Sequence, residues 1–159
     1  MIDETDRKIM NILQEDARIS NADVARHLNM APSAIFERLR KLEARGVIQR
    51  YETRFDPVAL DLGLLAYVFV RSEERLTETS TGEQLAAMPE VQEVHHIAGE
   101  DCYLVKVRVA NTAALSCLLR ERFGAIPSVR STRTTVVLAT LKETASLPIV
   151  IEDEERDNG

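Results

Sequence analysis

An α+β chain of two domains is predicted from three observations. Residues 3 to 46 hold three segments with apolar side chains three and four residues apart, each bounded by helix start and stop residues. A short segment closing at Asp56-Pro57 breaks that pattern. From Leu64 onward, strand-like and helix-like periods alternate in the order β-α-β-β-α-β. The first part reads as a winged-helix-like helix-turn-helix and the second as a ferredoxin-like βαββαβ domain.

The first helix is expected from about Asp3 to Gln14, with Asp3 as its cap, Asp6 adding charge to the first turn, and Ile9, Ile12 and Leu13 as the buried stripe. Ser20 caps the second, which carries Val24, Ala25 and Leu28 on one side. Pro32 opens the third at the position where its missing N–H costs nothing, Ile35, Leu39 and Leu42 form its apolar set, and Gly46 stops it. Val47 to Phe55 reads as a short extended segment. The expected division is residues 1–50 for the helical domain, 51–63 for an extended linker, 64–148 for the second domain and 149–159 for an acidic, disordered tail.

Within the second domain, strands are expected at 64–71, 91–98, 103–109 and 130–141, and helices at 79–88 and 112–123. Tyr103, Val105, Val107 and Val109 share one strand face, as packing against two helices requires. Segments 64–71 and 134–141 are apolar on both sides, so the other sheet face needs a cover that one chain does not supply. A homodimer is the expected solution.

The 159 residues carry a net charge of −6, which argues against a nucleic-acid partner until its distribution is read. Residues 1–56 hold 10 basic and 10 acidic side chains, so the excess acid lies entirely in the remainder. Between 38 and 54, Arg38, Arg40, Lys41, Arg45, Arg50 and Arg54 face only Glu43 and Glu52. Phosphate binding depends on such a local surplus. No run approaches the ~20 apolar residues of a membrane span, the start of the chain lacks a basic and then apolar leader, and Cys102 and Cys117 fall in different elements. A cytoplasmic protein with reduced thiols and no membrane partner is expected.

A helix-turn-helix needs a small residue where its helices cross, a turn residue that tolerates left-handed geometry and a branched anchor in the second helix. Ala25, Asn29 and Ile35 supply them, although the trio also suits plain three-helix packing. With each residue turning ~100°, Ser33, Glu37, Arg40 and Lys41 point away from the core, flanked by Ala34 and Arg38. These types suit the major groove of double-stranded DNA: Arg and Lys for guanine or phosphate, Glu for the cytosine amino group, Ser for either a donor or an acceptor and Ala for a thymine methyl. The competing interpretation is a solvated helix face, and the coincidence with the basic window favours DNA.

No catalytic residue, metal or cofactor is expected. His95 and His96 are adjacent in a predicted strand and point to opposite faces, His27 lies in the helical domain, and no Ser/His/Asp set, phosphate loop or Cys-x-x-Cys occurs.

Several runs together resemble the Lrp/AsnC (feast/famine) family: Asp3, Asp6 and Ile9; Leu13 through Ser20; Met30-Ala31-Pro32-Ser33, Ile35 and Glu37 through Glu43; Gly46-Val47-Ile48 and Tyr51; then Gly99 through Tyr103 and Thr132 through Val137. The resemblance covers about residues 2 to 148 in order, with Ala31 as a departure where the family often has a capping Ser. It implies a transcription regulator that dimerises through its sheets, often assembles into octamers, and senses an amino acid or related metabolite. Matching positions imply an effector site of Gly99, Glu100 and Asp101 with Thr132, Thr134 and Thr135; without the resemblance these read as a hairpin turn and β-forming threonines. The enzyme alternative is a siroheme decarboxylase-like protein on the same architecture. The acidic Gly99-Glu100-Asp101 loop and the intact basic helix favour the regulator, so no enzyme activity is expected.

Overall fold

The computed structural model describes residues 2–73 and 79–151. It divides into two compact units, one built on residues 1–54 with the chain from 143 onward, the other on residues 55–142.

In the first unit, α1 (Glu4–Glu15) begins with a reciprocal cap: the Asp3 carboxylate accepts from the Asp6 N–H at 2.8 Å, and the Asp3 N–H donates to Asp6 Oδ2 at 3.3 Å. Ser20 accepts from the Asp23 N–H and caps α2 (Asn21–Leu28). The turn after α2 rests on Asn29, whose φ of 51° and ψ of 44° are the left-handed geometry expected there. Pro32 is in the first turn of α3 (Pro32–Ala44), and Gly46, at φ 68°, lets the chain leave it. Ile9, Val24, Ala25, Ile35 and Leu39 meet in one core, and Leu42 is buried as well.

Ala31 offers α3 no side-chain cap. Ala31→Ser is therefore expected to stabilise this unit by about 1 kcal/mol, seen as a higher denaturant midpoint with an unchanged slope.

Residues 47–55 run without strand pairing among the described residues. Tyr51 donates its hydroxyl to Glu43 of α3 at 3.0 Å, and Arg54 pairs with Glu143 at 3.3 Å. Residues 147–150 lie along α1, where polar side chains one and two turns apart grip them. Arg7, Asn11 and Gln14 donate to the carbonyls of Val150, Ile149 and Leu147. The rest of the expected acidic tail, 152–159, falls outside the described residues.

The second unit is a four-stranded antiparallel sheet of order β2-β3-β1-β4, from β1 (Leu64–Ser72), β2 (Val91–His96), β3 (Tyr103–Val109) and β4 (Val129–Val136). This is the ferredoxin-like arrangement. Both helices, α4 (Ser80–Ala86) and α5 (Thr112–Cys117), contribute to a core with Ala66, Val68 and Val70 of β1 and Tyr103, Val105 and Val107 of β3. The opposite sheet face carries Tyr67, Phe69 and Leu104, all half-buried.

Two elements differ from expectation. The helix from 112 does not stay α-helical: residues Leu118–Phe123 form a π turn, closed by the Gly124 N–H on the Leu119 carbonyl five residues back. In an α-helix, Leu118 and Phe123 would diverge by about 140°; the wider turn brings both into the core, where they are buried with Leu115 and Ile126. The last strand also ends at Val136 and does not reach 141. Its partner β1 has begun at Leu64, only two residues beyond the Ala66↔Val136 pair, so the chain past Val137 has no ladder. Leu138 and Leu141 are 98% and 97% exposed, which corrects the reading of 130–141 as a continuous strand.

Candidate nucleic-acid interface

Helix α3 buries Ile35, Leu39 and Leu42, so the rotation of the helix turns Ser33, Glu37, Arg40 and Lys41 to solvent while Ala34 is half-buried at the edge. Arg40 Nη2 lies 3.1 Å from Glu37 Oε2, an exposed pair one turn apart. Such a pair is worth little and opens readily toward a competing phosphate or base.

Arg38, expected at the flank of this outward strip, is turned back onto α1. Its Nη1 donates to Asp3 Oδ2 at 2.6 Å and to Asp6 Oδ1 at 2.7 Å. Asp6 is buried, and the Arg38 side chain is only 30% exposed. The physical reason is the cap of α1, which concentrates two carboxylates within reach of the guanidinium. The Asp6 backbone N–H, followed by Arg38, holds the Asp3 carboxyl below its ordinary range; Asp3 and then Asp6 hold the Arg38 guanidinium more firmly protonated. Arg38 thus ties α3 to α1, a placement that helix phase alone does not foresee.

Sequence reasoning also passes over Phe36. It is 54% exposed, one residue past the anchor Ile35 and on the solvent side of the helix. The phase of Ile35, Leu39 and Leu42 was a sufficient signal, because it puts position 36 about 100° from the buried stripe.

The second unit separates the expected effector residues. Gly99 (φ 143°) and Glu100 are exposed in the loop between β2 and β3. Asp101 is half-buried, with Oδ2 2.9 Å from Arg133 Nη2 of β4. Arg133 also sits over the Phe69 ring at 4.0 Å, a cation–π contact, and its register opposite Phe69 puts it on the sheet face away from α4 and α5. Thr135 shares that face. Thr132 and Thr134 point the other way and, with Leu115, Ser116, Leu119 and Arg120, line an open groove of about 570 Å³ beside α5. Arg133 was not among the expected residues; a cross-strand pair 32 residues from Asp101 leaves no local pattern. His95 lies 3.2 Å from Glu93, and His96 stacks on Tyr103, so the two rings do point to opposite faces.

Residues 2–49 match the family described as winged helix-turn-helix DNA-binding, and residues 65–147 match the Lrp/AsnC ligand binding domain. The chain is 38% identical to the HTH-type transcriptional regulator FL11 of Pyrococcus horikoshii, across 93% of this chain and 97% of that protein. It is 35% identical to the leucine-responsive regulatory protein of Escherichia coli, across 93% and 92%. Among solved structures, the feast or famine regulatory protein from M. tuberculosis complexed with L-methionine superposes with a TM-score of 0.85 at 31% identity, covering 92% of this chain and 99% of that one.

Proposed function

The chain belongs to the Lrp/AsnC family of transcription regulators, and from that premise we propose how its residues divide the work. Helix α3 enters the major groove of double-stranded DNA with Ser33, Ala34, Glu37, Arg40 and Lys41 toward bases and phosphates. Arg38 fixes the angle at which α3 is presented and reaches DNA only if it leaves its carboxylates. The observation that carries this reading is the exposed strip of α3, with Arg40 and Lys41 on a helix whose opposite side is locked into the core. A gel shift on a duplex selected from a random pool tests it: retardation that weakens steeply with salt is expected, and none at low salt contradicts it. The relatives are named as transcription regulators, which favours this reading over the siroheme decarboxylase-like alternative.

The active species is a homodimer joined through the sheet face that carries Tyr67, Phe69 and Leu104, and dimers assemble further into octamers. Ultracentrifugation should give a mass of two or eight chains; a monomer at micromolar concentration contradicts this.

An amino acid or related metabolite modulates assembly and DNA binding. The Asp101 carboxylate, oriented by Arg133, holds the α-ammonium group, while N–H groups of Gly99 and Glu100 and the hydroxyl of Thr135 receive the carboxylate; Thr132 and Thr134, turned to the other sheet face, stand outside this site. A screen of twenty amino acids for thermal stabilisation identifies the ligand, since one present at ~100 times its dissociation constant adds about 2.7 kcal/mol. Asp101→Asn is then expected to raise the calorimetric dissociation constant about ten- to hundredfold. Equal affinities would return the loop to a purely structural role.

A further inference from the structure

We propose that Phe36 reads a thymine methyl group in the operator and is a specificity-determining residue of this regulator. The inference rests on the DNA-binding reading of α3 and deepens it.

Phe36 is the large apolar side chain that α3 leaves to solvent: Ile35, Leu39 and Leu42 are buried, and Phe36 is not. A singly exposed apolar residue ordinarily needs no explanation. This one is distinguished by its neighbours. Ser33 lies one turn before it and Arg40 one turn after, on the same side of the helix, and both are exposed. Lys41 is exposed beside Arg40. Two cations on this strip draw it toward phosphates, and a helix held in that position brings its outward residues to the base edges.

Most of the major-groove edge is polar, with donors and acceptors that a phenyl ring cannot satisfy. The thymine 5-methyl group is the apolar feature, and burying it against the ring removes apolar area of both from water. The ring also excludes water from the Arg40 side of the contact, which strengthens any hydrogen bond Arg40 makes there. An alanine at 36 loses this contact without disturbing the core, because the ring does not belong to it.

The test uses the full-length protein and a duplex selected by it from a random pool. Each thymine is replaced in turn by deoxyuridine, which deletes only the methyl group, and binding is measured for wild type and Phe36→Ala. Wild type is expected to lose about fourfold in affinity per half-site at one thymine, the equivalent of one buried methyl group. Phe36→Ala should bind the unmodified duplex more weakly and be indifferent to the same deletion. If wild type is insensitive at every thymine, or if Phe36→Ala still loses the same factor at the same position, the proposal is overturned. The DNA-binding reading fails separately: wild type would then show no salt-dependent binding to the selected duplex at all. Circular dichroism of Phe36→Ala should match wild type, and Phe36→Leu, apolar but not aromatic, should retain part of the methyl dependence.

Discussion

Replacing Arg38 with alanine is expected to destabilise the helical unit by about 1 to 3 kcal/mol, because it strips the partner from a buried carboxylate. Asp6 is 7% exposed, so water does not readily replace the lost guanidinium. Arg38→Met keeps most of the stem and should recover packing but not the charge. Arg38→Lys retains the charge as a single point and should recover only part, since Nη1 now serves Asp3 and Asp6 together. DNA binding falls with all three in proportion to the loss of folded unit, and the selected base sequence stays the same. The same contact predicts an acid dependence. Asp3 titrates below its ordinary value in the folded chain, so its contribution is fully present above that ordinary value and disappears as pH falls through the lowered one. Urea titrations at pH 5 and at about pH 2.5 should show a smaller difference for Arg38→Met than for wild type. A stable Arg38→Ala protein with altered base preference would instead make Arg38 a reading residue.

The larger effect on function is expected at Arg40 and Lys41. Lys41→Ala should weaken binding to all sequences alike and reduce the salt slope by about one per subunit. Arg40→Ala should also lose about 1 to 3 kcal/mol of discrimination at one base pair. In a dimer each change acts twice, so the double substitution removes up to four cations and lowers the slope by about 3.6. Neither side chain enters the core, and both variants should unfold at the wild-type midpoint.

Much of this was legible in the sequence because the deciding signals are local. Asp3, Ser20, Asn29, Pro32 and Gly46 punctuate three helices where the backbone requires capping, left-handed geometry or a missing N–H, and the structure uses each of them that way. The βαββαβ order was equally readable, since strand and helix periods alternate cleanly from Leu64. What escaped depends on partners distant in the chain. Helix phase puts Arg38 at the flank of the outward strip, and only the proximity of Asp3 and Asp6 turns it inward. Arg133 is unremarkable in a run of threonines until β4 is placed beside Phe69 and the Asp101 loop. The π turn follows from the depth at which Leu118 and Phe123 must sit, and the early end of β4 from where β1 begins. Phe36 escaped for a different reason: its phase was available, but an apolar residue on a reading face has no obvious partner until the thymine methyl is considered.

Sequence reading by α3 is decided by the affinity of the wild-type protein for its selected duplex and for a scrambled duplex across a series of salt concentrations. Both affinities are expected to fall with salt, the selected duplex to be bound at least ~1,000-fold more tightly at physiological salt, and the Arg40→Ala, Lys41→Ala double variant to lose about 3.6 of the slope. Equal affinity for the two duplexes, or a slope unchanged in the double variant, would contradict it.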